Sequence, residues 1–277
     1  MGGRYGAFTF CDRIVEYVPA KRARATFAVP EALAEFSSCL VAEATGQLAA
    51  WVSMAHIAFR GRPVAALARE VLIHDEVLPG ETLTLEVDVA ECDESSVFYQ
   101  GRARVGDRTV VELIDCLGPM LPQDDYDSPE DLARQFALLC GSGATPGRFG
   151  GVGAHVLEAI SADANTRSAR LRIPADAPYF ADHFPRSPVF PATLLLDHAI
   201  RVAAALVNDR PSQVFRAARV QNVKMRDFIR PGENVVLSVS RIDPKDDAVR
   251  VRFQATLGDR TMATAQIGFA HADLEVA

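Results

Sequence analysis

No stretch of the 277 residues offers the roughly 18 uninterrupted apolar residues that a membrane-spanning helix needs. The amino-terminal MGGRYGAFTFCDRIVEY has neither the apolar run nor the cleavage site of a secretory signal. It also fails as a myristoylation signal, since Gly6 stands where Ser or Thr is wanted. Basic residues are in deficit: 29 Lys and Arg against 36 Asp and Glu leave a net charge of −7, which sets nucleic acid aside as a partner. Cysteine is sparse, odd in number and scattered (Cys11, Cys39, Cys92, Cys116, Cys140), without metal-ligand spacing. Such thiols read as small buried hydrophobes in a reducing compartment, and cytoplasm is the expected location. The six histidines form no HxH or HExxH cluster, and no GxSxG elbow or Gly-rich phosphate loop is present. No metal and no cofactor is expected.

What remains is 49% hydrophobic and 23% charged, long enough for one large domain or two modest ones. Alternation predicts two strands over 7–30, a long apolar helix over 37–58, and strand runs at 65–77, 81–91, 96–105 and 108–117. The strand pattern is expected to end at Pro119, giving way to an acidic stretch from Gln123 to Asp131, a short helix PEDLARQFALLC and a flexible Gly-rich linker at 141–151. The pattern then begins again, with strands, a loop and helix over 178–207, and four further strand runs.

Two turn strings recur at one offset. Pro79-Gly80-Glu81 returns as Pro231-Gly232-Glu233, and Gly106-Asp107-Arg108-Thr109 as Gly258-Asp259-Arg260-Thr261, each 152 residues later. The chain therefore reads as a tandem duplication: a first unit over 1–121, a linker over 122–151 and a second unit over 152–277. Each unit has one helix apolar nearly all round, which must lie inside something. The expected fold is α+β, two curved antiparallel sheets each wrapping a buried helix and joined along an edge into one pseudo-dimeric sheet.

Three side chains stand out against this apolar background. Glu43 sits in the first helix with Gln47 one turn on, on the same face. Leu40 precludes a capping box, and a carboxylate among apolar neighbours is expensive unless it is hydrogen-bonded. Asp197, 154 residues later, occupies the matching place in the second helix and has Arg201 four residues on, the spacing of an ordinary helical ion pair. His183 lies in the stiff loop before that helix, with no counterpart between Ala25 and Cys39. Pro191 suits the first helical position.

The string His183-Phe184-Pro185-Arg186-Ser187-Pro188-Val189-Phe190-Pro191, followed by Leu194-Leu195-Leu196-Asp197, resembles the loop and helix of the 3-hydroxyacyl-[acyl-carrier-protein] dehydratases, enzymes of the hot-dog fold. Arg4-Tyr5 with Phe10 to Val15 is similar to that family's first strand, and Glu43-Ala44 with Gln47 to its helix motif. The resemblance implies a site formed between two units, with His183 of one facing Glu43 of the other, Gln47 orienting the carboxyl, and Phe184, Pro191 and Ala192 shaping the substrate position. A mirror site would hold Asp197 but no histidine. The sequence departs from the family at Arg186 and Ala192, both glycine there. The implied partner is an acyl carrier protein with a phosphopantetheine-linked acyl substrate. Arg216, Arg219, Lys224, Arg226 and Arg230 are candidates for its docking patch. The internal pseudo-dimer leaves a further homodimer open. The same fold accommodates thioesterases and non-catalytic acyl-binding proteins, so fold alone does not choose among them.

Overall fold

The computed structural model describes residues 5–208, 214–242 and 249–271; Arg4, singled out above, lies outside them. Strands β1 (Arg13–Val18) and β2 (Arg22–Ala28) lead into helix α1 (Ser38–His56). Then come β3 (Gly61–Pro63), β4 (Leu67–Ile73), β5 (Thr82–Cys92), β6 (Ser96–Val105) and β7 (Arg108–Pro122). Helix α2 (Pro129–Cys140) is followed by β8 (Val156–Ala162), β9 (Thr166–Arg172), α3 (Ala192–Val207), β10 (Phe215–Met225), β11 (Asn234–Ile242), β12 (Val249–Leu257) and β13 (Arg260–His271).

All strand pairs are antiparallel, in the order β1-β2-β5-β6-β7-β4-β10-β13-β12-β11-β9-β8, with β3 pairing β7 off this path. Read inward from either edge, the order follows corresponding strands of the two halves. They meet where β4 runs beside β10, with Val71 opposite Val220 and Gln221 donating across the seam to Glu70 (2.9 Å). Pairing these strands removes one exposed edge from each half. The repeated strings adopt the same geometry twice. Gly80 and Gly232 take φ +89° and +81°, and the glutamate after each accepts from a backbone N–H three residues earlier (Leu78, Arg230). A left-handed glycine and a side-chain acceptor at both positions make them one turn in two copies.

Helix α1 packs on β5, β6 and β7, and α3 on β9, β10 and β11. The helices also touch each other. The buried faces (Val41, Ala44, Leu48 and Val52 of α1; Leu195, Ala199, Val202 and Leu206 of α3) merge with inward strand residues such as Leu85, Val111, Leu237 and Phe253 into one core. No helix among the described residues is long and apolar enough to cross a membrane.

Three readings of the sequence need correction. Residues 7–12 form no strand; the backbone N–H groups of Ala7, Phe8 and Phe10 go to side chains, as described below, and that of Asp12 goes to the Thr26 carbonyl. Strand β7 runs past Pro119 to Pro122 because β3 supplies a partner for Met120, Leu121 and Pro122. The Gly-rich stretch 141–151, expected to be flexible, is anchored: Phe149 is buried edge-on against Phe10 and Phe36, and the Ala144 N–H bonds to Asp12.

Candidate active site

A cavity of about 420 Å³ lies beside α1, between β4, β7 and the loop that precedes α3. Its lining brings Glu43 and Gln47 from the first half together with His183, Phe184, Ala192 and Thr193 from the second. The exposed residues Leu67, Arg226 and Asp227 mark where it opens to solvent. The rest of the wall is mostly apolar, including Trp51, Leu113, Leu132 and Met262.

His183 is held on three sides. Its Nδ1 lies 2.9 Å from the carbonyl of Val189, and a carbonyl can only accept, so the proton is on Nδ1 and Nε2 keeps a free lone pair. Phe8 meets the ring edge-on at 5.5 Å between centroids, and Phe184 at 4.5 Å. Phe184 adopts φ +61°, an unusual conformation for a bulky residue that fixes its ring beside the imidazole. Burial pushes the pKa of His183 below the ordinary histidine value; the neighbouring Glu43 carboxylate and the Val189 bond oppose the shift, and Arg62 adds to it. The neutral base is the form that results.

Glu43 is gripped at both oxygens. Gln47 Nε2 donates to Oε1 (2.9 Å), and the hydroxyl of Thr193 donates to Oε2 (2.8 Å). The first contact follows from i, i+4 spacing on one helix; the second crosses from α3 to α1. Gln47 is itself fixed, its amide bonding to the Phe8 carbonyl (3.0 Å) and accepting from the Phe10 N–H (3.0 Å).

The amino-terminal segment owes its shape to these side chains. Asp182, only 8% exposed, accepts from the backbone N–H groups of Tyr5 (2.9 Å), Ala7 (2.6 Å) and Phe8 (2.9 Å). Segment 5–10 is thus pinned by Asp182 at one end and Gln47 at the other, and it presses Phe8 onto His183. Asp182 and Thr193 were not evident from the sequence. Each adjoins a residue that was, but its partner is more than a hundred residues away.

Helix α3 starts without a side-chain cap. Pro191 is its N-cap, with extended ψ of 130°, rather than its first helical residue, so the N–H groups of the first turn have no side-chain acceptor. Ala192 and Thr193 carry two of those groups at the cavity wall. They suit a developing oxyanion, with the positive end of the helix behind them.

A sequence profile described as "ApeI-like: ApeI dehydratase" matches residues 159–266. The 3-hydroxyacyl-[acyl-carrier-protein] dehydratase FabZ of Chlamydia trachomatis serovar L2 is 30% identical over 119 residues, covering 40% of this chain and 76% of that protein. The chain belongs to this dehydratase family. The FabZ of Aeromonas hydrophila is 25% identical over 113 residues, covering 39% of this chain and 74% of its own. Solved structures match nearly the whole length and show a hot-dog fold. A Lactobacillus plantarum oleoyl thioesterase (putative in its description) has a TM-score of 0.61 at 11% identity, covering 91% of this chain and 96% of its own. The dehydratase domain of PpsC from Mycobacterium tuberculosis, in complex with C12:1-CoA, has 0.54 at 14%, covering 96% and 100%.

Glu43 and Asp197 are each the sixth residue of their helix, so the place in α3 that matches Glu43 can be inspected directly. It is occupied differently. Asp197 accepts from Arg201 Nε (2.8 Å), and Arg201 also pairs with Glu35. Cys39 takes the helical position that Thr193 has in α3, and burial, then the nearby Asp197 carboxylate, push its thiol pKa up. Helix α1 is capped, Ser37 accepting from the Leu40 N–H. Two histidines dispersed in sequence also meet near Asp197: His155 bonds through Nδ1 to His198 Nε2 (2.9 Å) and through Nε2 to the Tyr179 hydroxyl (3.0 Å).

The basic residues of β10 and its following loop do not form one free patch. Arg219 pairs with Glu70 across the seam (3.5 Å), and Arg230 bonds to Ser187 while lying over Phe228. Arg216 and Lys224 are exposed on the strand, whereas Arg226 is exposed beside the cavity opening.

Proposed function

We propose that this chain removes water from 3-hydroxyacyl thioesters carried on an acyl carrier protein, leaving the trans-2-enoyl thioester. The observation that carries this reading is the His183 ring, held at Nδ1 by the Val189 carbonyl with Nε2 left to the cavity that also holds a doubly hydrogen-bonded Glu43. In the reaction, His183 Nε2 takes the proton from C2, and the negative charge that develops on the thioester oxygen is met by first-turn N–H groups of α3. Glu43, carrying one proton, gives it to the 3-hydroxyl, the C3–O bond breaks and water leaves. The C2 electron pair becomes the C2–C3 double bond, and transfer of the proton from His183 back to Glu43 resets the pair. A hydroxyl can accept as well as donate, so Thr193 keeps its contact with Glu43 in either protonation state.

The apolar cavity would take the acyl chain, and Arg226 beside its opening would meet an acidic carrier. We read the architecture as a double hot-dog, units 1–121 and 152–277 joined by 122–151, acting as a covalent pseudo-dimer with one working site. The place around Asp197 reads as the degenerate copy: its carboxylate is neutralised by Arg201 and its helix start is occupied by Ser37. Incubation with a 3-hydroxyacyl carrier thioester should yield enoyl product, read by mass and by absorbance. His183→Ala should lower the rate by about 10²–10⁴-fold. Release of free thiol without enoyl product would replace this reading with a thioesterase.

A further inference from the structure

Arg62, on β3, is an unusual occupant of an acyl cavity. Its side chain lines the same space as His183 and Glu43. The guanidinium carbon sits 4.9 Å from the centre of the Phe184 ring, which also meets the His183 imidazole at 4.5 Å between centroids. One nitrogen, Nη1, points at the Met54 sulfur (3.7 Å), a weak acceptor. Among the described residues no carboxylate is ion-paired with it; burial pushes its pKa down, a shift that Asp127, Tyr5 and Glu43 nearby only partly oppose. Five N–H donors in a fork therefore face a largely apolar chamber with a ring at their back and a thioether on one side.

Such a group is costly to bury and is poorly served by what surrounds it. A cation taken out of water needs an anion in contact or hydrogen bonds from its full set of donors. Arg62 has neither, yet part of its surface is still accessible, and the cavity is what that surface faces. A ring stacked against the guanidinium leaves the edge of the fork free, and that edge matches carboxylate and phosphate oxygens two at a time. A purely aliphatic chain would leave these donors unpaired and would gain nothing from a charge at this place.

We propose that Arg62 forms an anion subsite within the cavity, recognising an anionic oxygen group on the substrate: a carboxylate on the acyl chain or a phosphate of its carrier arm. This rests on the thioester reading above for the kind of molecule that enters, but not on the dehydration step. Arg62 and His183 both contact the Phe184 ring and line one cavity, and this nearness favours the acyl chain as the source.

Calorimetric binding tests this without turnover. The probes are non-hydrolysable acyl thioethers of N-acetylcysteamine, which lack phosphate, with the acyl chain ending either in a carboxylate or in its methyl ester. A second pair carries the same chains on the phosphate-bearing pantetheine arm. The full chain should bind the carboxylate probe at least about tenfold more tightly than the ester, and Arg62→Met should bring the ratio close to one. Arg62→Lys should retain part of it. If the arm phosphate is the anion instead, both pantetheine probes will bind more tightly than their N-acetylcysteamine counterparts, and Arg62→Met will abolish that gain. Equal affinities for all probes in the parent protein, or preferences that persist in Arg62→Met, would overturn the subsite. A chain that binds these probes but forms no enoyl product would leave it standing and remove the dehydratase reading.

Discussion

The hydroxyl of Thr193, second residue of α3, donates to the carboxylate of Glu43, 150 residues earlier on α1. This bond ties a side chain of one half of the molecule to a carboxylate of the other. It makes Thr193 a positioning residue for Glu43. Thr193→Val, nearly the same in shape, should lower kcat by roughly 3–10-fold, the worth of one hydrogen bond. KM should change far less. Thr193→Ser should restore most of the rate, a rescue that a merely structural role of the threonine methyl would not produce.

The two helix carboxylates should respond in opposite ways. In the proposed reaction Glu43 supplies the proton, so Glu43→Gln should depress enoyl formation at least about 10²-fold. Asp197→Asn disturbs a largely covered carboxylate paired with Arg201 and outside the His183 cavity, and should leave the rate within about threefold. A parallel assay of both variants decides the matter: equal losses would mean that the Asp197 place also turns over substrate.

Asp182 holds the amino-terminal segment with three N–H acceptances. In Asp182→Asn one oxygen becomes an NH₂ group that faces donors. The loss should be about 2–4 kcal/mol, a fall of roughly 5–15 °C in Tm for a chain of this size. Amide exchange at Tyr5, Ala7 and Phe8 should quicken most. Unchanged exchange there would show that the segment is held by Phe8 and Phe10 packing alone.

His198 gives the fold an acid-sensitive element. Burial, then His155 and Arg201, push its pKa down to about 4, against about 6.5 for an exposed histidine. The folded state therefore binds fewer protons than the unfolded chain between these values, and stability rises with pH across that window. It should be fully present above about pH 6.5 and lost as pH falls towards 4, with His155 and His183 contributing in the same direction. Melting curves between pH 4 and 7 should be flatter for His198→Asn than for the parent. A parent Tm independent of pH over this range would contradict the assignment.

Much of the architecture was legible because it is written in local periodicity. The apolar run 37–58 became α1 at Ser38–His56, and PEDLARQFALLC became α2 over the whole of its length. The offset of 152 exposed the repeat because its turns need glycine with positive φ in both copies, a local demand that drift does not easily erase. What escaped was non-local. Residues 7–12 show strand-like alternation, but Phe8 and Phe10 are buried by His183 and Phe149, and their N–H groups go to Asp182 and Gln47. No spacing or motif singles out Arg62 in the sequence, and only the tertiary arrangement puts it, on β3, at the cavity wall. His155 and His198, 43 residues apart, have no spacing signature that could announce their contact.

The seam between β4 and β10 has a further consequence for how the molecule behaves at low concentration. An enzyme assembled from separate subunits loses its shared sites when diluted below the dissociation constant of the pair. Here both contributors to the Glu43–Thr193 contact belong to one polypeptide, held at a fixed effective concentration by the intervening chain. Specific activity should accordingly stay constant down to nanomolar protein, and damage to either half should disable the molecule without rescue by an intact neighbour.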